Sequence, residues 1–198
     1  MSQSDVAALI LAAGESSRMG QDKALLDYRG KTFLGTIIAH LREAGISEMA
    51  VVLGHHAESI RSAVDLTGIR VVLNQDYQRG QTSSLQAGLA AWDAPGPRAV
   101  LLCLVDHPAV GASVIAKILE RYRQSGAPVV IPVFNGKRGH PVLIGRELFA
   151  ELRALAVTEG ANTVLRQYRS ATDFVEVEDP TILMDVDDLG AYRKLTEG

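Results

Sequence analysis

The fold is decided by the stretch Leu9-Ile-Leu-Ala-Ala-Gly-Glu-Ser-Ser-Arg-Met-Gly-Gln-Asp-Lys23. An apolar run over residues 6–11 predicts a buried strand, and it breaks directly into a loop that holds two glycines, two serines and two cations. Small residues let the backbone approach a ligand, free backbone N–H groups supply donors, and the cations neutralise phosphate oxygens. We therefore predict a phosphate-binding loop with ligand contacts at Leu11, Ala12, Ala13, Gly14, Arg18 and Lys23.

Other glycine-rich motifs do not fit this spacing. A dinucleotide fingerprint needs a third glycine in register with Gly14 and Gly20, and the sequence has none there. Gly30-Lys31-Thr32 resembles the end of a Walker A motif, but Leu25 stands where that motif requires its earlier glycine. A hydrolase elbow would need glycine in place of Arg18. These three classes of site are therefore disfavoured.

Composition narrows the class of protein. The chain has 198 residues, a formal net charge of −3 and one cysteine, Cys103. We expect one domain over residues 1–198, no nucleic-acid partner and no internal disulfide, with Cys103 buried in an apolar run. No apolar run approaches the ~18 residues that span a bilayer. We therefore expect a cytoplasmic protein that does not bind membranes.

Strands and helices alternate along the chain. Apolar runs predict strands at residues 6–11, 49–53, 70–73, 99–105, 129–133 and 174–177. Helical spacing predicts helices at 33–44, 57–64, 113–124, 147–155 and 161–169, one that reaches Trp92, and a terminal one that Asp188 caps. This order predicts an α/β fold, a three-layer α/β/α sandwich around a mostly parallel, Rossmann-like sheet, with the active cleft at the carboxyl ends of its strands.

Polar side chains follow several of these strands. Thr82, Ser83 and Ser84 stand together after the third strand, and helix capping accounts for only one of their hydroxyls. Asp106 follows the apolar strand 99–105, where its carboxylate could hold Mg²⁺ or cap the next turn. His55 and His56 follow the second strand without a third ligand at metal spacing, which favours ordinary loop histidines.

Several segments, in order, resemble the MobA-like nucleotidyltransferases. They are Leu-Ala-Ala-Gly-Glu-Ser-Ser-Arg-Met-Gly-Gln-Asp-Lys at 11–23, Gly-Gln-Thr-Ser-Ser-Leu-Gln-Ala-Gly-Leu at 80–89, Leu-Val-Asp-His-Pro at 104–108 and Asp-Val-Asp at 185–187. The Leu-Ala-Ala-Gly form and the segment Arg138-Gly-His-Pro141 are similar to the molybdenum cofactor cytidylyltransferase branch. The final segment departs from the family, since Asp188 and Leu189 replace its usual Thr-Pro.

The resemblance implies a sheet of the nucleotide-diphospho-sugar transferase type and a reaction. CMP would pass from CTP to the terminal phosphate of the molybdenum cofactor, with release of pyrophosphate. The recipient of the product would be a molybdenum hydroxylase or its maturation factor. Alternatives are GTP as donor, a sugar or alcohol phosphate as acceptor, and a maturation factor that binds without turnover.

The resemblance also assigns roles to residues. Arg18, Lys23 and Asp106 would be catalytic, and Thr82, Ser83 and Ser84 would lie beside the nucleotide. Mg²⁺, with Mn²⁺ as the alternative, would bind Asp106 and Asp187, which we favour over Asp185 as second ligand. The acceptor side would comprise Arg138, Gly139, His140 and Pro141, where His140 either contacts the pterin or its phosphate or orients the loop.

Overall fold

The computed structural model describes residues 5–16, 19–92 and 96–197. Its strands are β1 (Val6–Ala12), β2 (Asp27–Tyr28), β3 (Lys31–Thr32), β4 (Met49–Leu53), β5 (Arg70–Leu73), β6 (Ala99–Leu104), β7 (Val129–Phe134), β8 (Lys137–Arg138), β9 (Val142–Gly145) and β10 (Thr172–Glu176). Its α-helices are α1 (Phe33–Glu43), α2 (Ala57–Ala63), α3 (Gln81–Ala90), α4 (Ala112–Ser125), α5 (Phe149–Ala154), α6 (Asn162–Leu165) and α7 (Leu189–Glu197).

The central sheet has the strand order β10-β7-β9-β6-β1-β4-β5, and β8 pairs with β7 outside this path. β1 pairs in parallel with both β4 and β6, β4 with β5, and β7 with β10. β9 is antiparallel to both β6 and β7, and β8 is antiparallel to β7. The sheet is therefore mixed but mostly parallel, which confirms the predicted α/β fold.

Two apolar layers cover the sheet, one on each face. Successive β1 residues alternate between them, so that Ala8 and Ile10 join one layer and Leu9 and Leu11 join the other. Buried side chains of α1, α2 and α4 complete the first layer, and those of α3, α5 and α6 complete the second. The structure thus has the predicted three layers, and the predicted burial of Cys103 is confirmed.

The end of the chain packs beside the loop that follows β1. Phe33 and Val186 belong to a small apolar cluster against which Tyr192 of α7 packs. The Ala191 N–H donates to Asp188 Oδ1 at 2.8 Å, which confirms the predicted cap. The Val186 N–H donates to the Asp106 carbonyl oxygen at 2.9 Å, so the tail is held against the end of β6. No helix in the described parts of the chain is long and apolar enough to cross a membrane.

Candidate active site

A cleft of about 370 Å³ opens where the parallel strands end. Its walls come from the loops after β1 and β6, from the start of α3 and from the C-terminal segment. Eight of the residues predicted from sequence line it together: Leu11, Ala12, Ala13, Gly14, Lys23, Ser84, Asp106 and Asp187. Arg18 lies outside the residues that the structure describes.

Lys23 begins a short 3₁₀ turn whose backbone two side chains hold. The Lys23 N–H donates to Ser16 Oγ at 3.0 Å, and the Ala24 N–H donates to Asp22 Oδ1 at 2.8 Å. Asp22 caps this turn, and only 6% of it is exposed. The direction in which Lys23 enters the cleft is therefore fixed by polar contacts to its own loop.

The Lys23 ammonium lies between two carboxylates. Its Nζ donates to Asp187 Oδ1 at 2.5 Å and is 3.8 Å from Asp106 Oδ2. The lysine side chain is 14% exposed, whereas that of Asp187 is 51% exposed. Because the ammonium is largely withdrawn from water, its charge is screened less than that of a surface lysine. The cleft thus has one positive charge, on Lys23, between two negative charges, on Asp106 and Asp187.

The surroundings of Asp106 disfavour its charged form. Burial raises the pKa of the Asp106 carboxyl, Asp187 raises it further, and His107 and Lys23 act in the opposite direction. Its Oδ1 is buried and has no hydrogen-bond partner among the described residues. A buried carboxylate oxygen without a partner is costly unless a cation or donor reaches it.

These carboxylates fit a divalent cation that binds together with a ligand. Asp106 and Asp187 already converge on one cation, the Lys23 ammonium, and Asp106 keeps an oxygen without a partner. No group of three or more His, Cys, Asp or Glu in the described residues is arranged to hold a metal. Such incomplete sites are typical of Mg²⁺, which retains waters and takes further oxygens from phosphates.

At the other end of the cleft, an asparagine organises the start of α3. The Asn74 side-chain amide donates to Ser83 Oγ at 2.9 Å and to Ser84 Oγ at 3.0 Å. Ser83 donates to the Gly80 carbonyl oxygen at 2.8 Å, and Thr82 donates to that of Glu159 at 2.6 Å. Of the three predicted hydroxyl residues, Ser84 lines the cleft, while the hydroxyls of Thr82 and Ser83 bind the backbone.

The predicted acceptor segment, residues 138–141, does not line this cleft and packs instead on β10 and on the turn that contains Ile182. Its first residue, Arg138, places its guanidinium over the Phe174 ring at 4.8 Å. A Cβ on Gly139 would come within 2.4 Å of the Ile182 carbonyl oxygen, so glycine allows the close packing here. The segment therefore has a tightly packed backbone.

His140 and Pro141 share a small apolar cavity with His107. The His140 and His107 ring centroids are 5.0 Å apart, and His107 Nε2 is 3.8 Å from Asp106 Oδ1. Burial and the neighbouring His107 lower the pKa of His140 to about 4, against the influence of Asp185. Burial also lowers the pKa of His107, while the nearby carboxylates act in the opposite direction. The exposed Asp185 acts to raise the pKa of both histidines, whereas Asp187 is paired with Lys23 and, of these two histidines, acts to raise the pKa of His107 alone.

Sequence reasoning missed several cleft residues. Tyr77 and Asp22 line the cleft, and Asn74 holds the serines of α3. Asp22 stands next to Lys23 in the loop and Asn74 directly follows β5, so position alone offered a signal. Tyr77 offered none, because an aromatic residue in a loop commonly packs on the core.

Comparisons with known proteins show what this chain is similar to. The family model described as the MobA-like NTP transferase domain matches residues 8–172. The nicotine blue oxidoreductase of Paenarthrobacter nicotinovorans is 31% identical in an alignment 202 residues long, gaps included, which covers 96% of each chain. The molybdenum cofactor cytidylyltransferase of Escherichia coli K12 is 29% identical over 185 residues, which cover 90% of this chain and 89% of the relative.

A solved structure matches over its full length. The Rv0371c protein of Mycobacterium tuberculosis H37Rv aligns with a TM-score of 0.86 at 30% identity, covering 100% of both chains. A structure of that protein in complex with manganese aligns with a TM-score of 0.80 at 28% identity, covering 98% of this chain and 100% of the other.

Proposed function

This chain belongs to the MobA-like NTP transferase domain family, as its sequence motifs predicted, and we propose that it transfers CMP from CTP to the terminal phosphate of the molybdenum cofactor. The observation that carries the proposal is the meeting of Lys23, Asp106 and Asp187 at one end of the cleft. A bound triphosphate needs concentrated positive charge close to its oxygens. The Lys23 ammonium and a divalent cation held by the two carboxylates would supply it.

In the proposed reaction, an oxygen of the acceptor phosphate attacks the α-phosphorus of CTP. A new phosphorus–oxygen bond forms, the bond from the α-phosphorus to the bridging oxygen breaks, and pyrophosphate leaves with that oxygen. The acceptor is already an anion, so no general base is needed. Neutralisation of charge and alignment of the two reactants carry the rate.

The residues of the cleft would divide this work. Lys23, fixed by Ser16 and Asp22, would stabilise negative charge on the bridging and leaving oxygens, and Arg18 would assist it. Asp106 and Asp187 would hold Mg²⁺ or Mn²⁺, which when bound supplies further neutralisation of the triphosphate oxygens. The tail contact from Val186 to the Asp106 carbonyl holds both carboxylates near each other.

The nucleoside would lie along the backbone of residues 11–14 and the start of α3. Ser84 accepts a hydrogen bond from Asn74, which leaves the Ser84 proton available to an acceptor atom of the base. Thr82 and Ser83 would contribute by fixing the first turn of α3. We favour CTP over GTP because of the Leu-Ala-Ala-Gly motif and the similarity to a molybdenum cofactor cytidylyltransferase.

The acceptor would lie on the side of Arg138, Gly139, His140 and Pro141. Support comes from the contact of His140 with His107, which joins this segment to Asp106. The product would be the cytosine dinucleotide form of the cofactor. A molybdenum hydroxylase, or a factor that matures it, would be the partner that receives it.

A second candidate is a redox reaction in the same cleft. It is favoured by one observation, the 31% identity to a nicotine blue oxidoreductase over 96% of each chain. The two candidates predict different products, since only nucleotidyl transfer releases pyrophosphate from a nucleoside triphosphate.

The test is pyrophosphate release with Mg²⁺ and each of CTP, GTP, UTP and ATP, with and without the molybdenum cofactor. Release that requires both CTP and the cofactor would support the proposal. Release with GTP alone would move the assignment to a guanylyltransferase. Silence across the panel, in protein that still binds a nucleotide, would favour the maturation factor or the redox candidate.

A further inference from the structure

Two neighbouring histidines, His55 and His56, follow β4 and have no part in the proposed reaction. The sequence favoured loop histidines here. Their ring centroids are 4.1 Å apart, and the backbone N–H of His55 donates to the Ala13 carbonyl oxygen at 3.3 Å. Each ring then contacts a different wall of the cleft. The pair therefore connects two parts of the site that are distant in sequence.

His56 contacts the turn that carries Lys23. Its Nδ1 donates to Asp22 Oδ2 at 3.2 Å, and the other oxygen of the same carboxylate caps the Lys23 turn. Asp22 is almost fully buried and lines the cleft, whereas the His56 side chain is 43% exposed. A buried carboxylate holds its orientation best when both oxygens have donors. His56 supplies the second donor.

His55 contacts an aromatic residue of the cleft, Tyr77. A hydrogen bond of 2.9 Å joins His55 Nδ1 to Tyr77 Oη, and the two ring centroids are 5.6 Å apart. Tyr77 also packs on Gly54, where a Cβ would come within 2.8 Å of the tyrosine Cβ. The hydroxyl is thus directed to His55, and Tyr77 lines the same cleft as Gly80 and Ser84.

We infer that His55 and His56 are positioning residues for the two ends of a bound nucleoside triphosphate. His56 orients Asp22 and through it Lys23, which acts on the phosphates. His55 holds the Tyr77 ring as an apolar surface for the base. The inference rests on the proposed function, because it requires a nucleotide in this cleft. It assigns separate kinetic effects to adjacent residues.

The test compares leucine and asparagine at each position. Asparagine keeps an N–H donor close to the place of Nδ1, and leucine keeps only bulk. We expect His56→Leu to lower kcat by about tenfold to a hundredfold with little change in KM, because a displaced lysine fails in the transition state. We expect His55→Leu to raise KM for CTP by about tenfold with kcat nearly unchanged, because stacking on Tyr77 supports binding.

The asparagine variants should recover most of each loss. His40→Leu is the control for KM of CTP, because His40 Nδ1 is hydrogen-bonded at 2.9 Å to the carbonyl oxygen of Val110, which lines the cavity of His107 and His140 and not the nucleotide cleft. Thermal unfolding of every variant shows which ones fold. An active wild type with normal kinetics in both leucine variants, or equal losses in leucine and asparagine variants, would overturn the inference alone. A wild type that releases pyrophosphate from no nucleotide would overturn the proposed function and this inference with it.

Discussion

Lys23 is the residue on which the proposed chemistry depends most. Its ammonium is held by Asp187 and Asp106, and its backbone is held by Ser16. We expect Lys23→Ala to lower turnover by on the order of a hundredfold or more, the scale for removing one electrostatic donor from an active site. The measurement is steady-state pyrophosphate release.

The exposed Lys117 of α4 offers a matched control. Lys117→Ala removes the same charge from an exposed helical position that does not line the cleft, and it should keep the wild-type rate. Equal rates in the two variants would contradict the assignment of Lys23.

The charge of Asp106 should affect the stability of the fold as well as the activity. Burial raises the pKa of this carboxyl, so the folded protein binds its proton more tightly than the unfolded chain does. Stability therefore falls as pH rises from the ordinary aspartate pKa through the raised one, and the deficit persists at neutral pH. We expect Asp106→Asn, which carries no charge, to lose Mg²⁺-dependent activity while being at least as stable as wild type at neutral pH.

Thermal unfolding at neutral pH and at about pH 3 checks this expectation, since the aspartate is protonated in both states at sufficiently low pH. The stabilisation should shrink in acid. A variant that is clearly less stable than wild type at neutral pH would show that Asp106 holds the fold together, which contradicts this account.

At the scale of elements, the close approach of β1, β4 and the Tyr77 turn shapes the floor of the cleft. A Cβ on Gly54 would lie 2.5 Å from the Ala13 carbonyl oxygen, and backbone atoms move less readily than a side chain. We expect Gly54→Ala to lower the free energy of unfolding by about 1–3 kcal/mol, the usual cost of overpacking. It should also raise KM for the nucleotide, because Ala13 and Tyr77 both line the cleft.

Gly160→Ala is the control, because a Cβ there meets open space. Chemical denaturation and nucleotide kinetics should leave this control close to wild type. A Gly54→Ala protein that matched the control in both measurements would show that the floor is not closely packed.

The elements differ in how well the sequence predicts them. Buried parallel strands such as β1 and β6 are continuous apolar runs, so their positions follow directly from composition. β9 was not predicted, because a short apolar run such as Val142–Gly145, which leads directly into helical turns, cannot be distinguished from part of a buried helix by periodicity. The predicted helix at 161–169 continues from α6 as 3₁₀ turns, and Leu165 and Tyr168, three residues apart, both pack on the core.

The residues of the site also differ in how well the sequence predicts them. Asp106 follows β6 and Lys23 lies in the loop after β1, and the parallel pairing of these strands brings both to one edge of the sheet, whereas Asp187 was predicted from the family resemblance. The contact of Asp22 with His56 joins residues 34 positions apart and depends on how the β1 and β4 loops pack. No local pattern encodes such a contact, so the sequence left the histidines as loop residues.

At the scale of the whole molecule, the buried His140 and His107 should determine how the stability of the protein falls in acid. Burial lowers the pKa of His140 to about 4, so the unfolded chain takes a proton that the folded protein does not. Stability is then full above the ordinary histidine pKa and falls as pH drops from about 6.5 to about 4, by up to about 3 kcal/mol. Burial of His107 acts in the same direction.

Chemical denaturation at several pH values measures this slope. We expect His140→Asn to lose less stability than wild type across the same interval, because one of the two buried imidazoles is gone. Parallel profiles for variant and wild type would contradict the burial of a neutral His140 in the folded protein.

The net charge of the whole molecule shows why positive charge must be placed inside the cleft. With a net charge of −3, the protein has no general positive field to attract a triphosphate. Lys23 and a cation shared by Asp106 and Asp187 must therefore neutralise the ligand within the cleft. Nucleotidyl transfer differs from other reactions of a nucleoside triphosphate in that the α-phosphorus passes to the acceptor.

The most direct measurement follows the label from CTP carrying radioactive phosphorus at either the α or the γ position, with Mg²⁺ and the molybdenum cofactor. The account predicts that the α label enters the dinucleotide product, that the γ label appears only in pyrophosphate, and that Lys23→Ala slows both. Transfer of the γ label to the acceptor, or conversion of the cofactor without any α label in the product, would contradict nucleotidyl transfer.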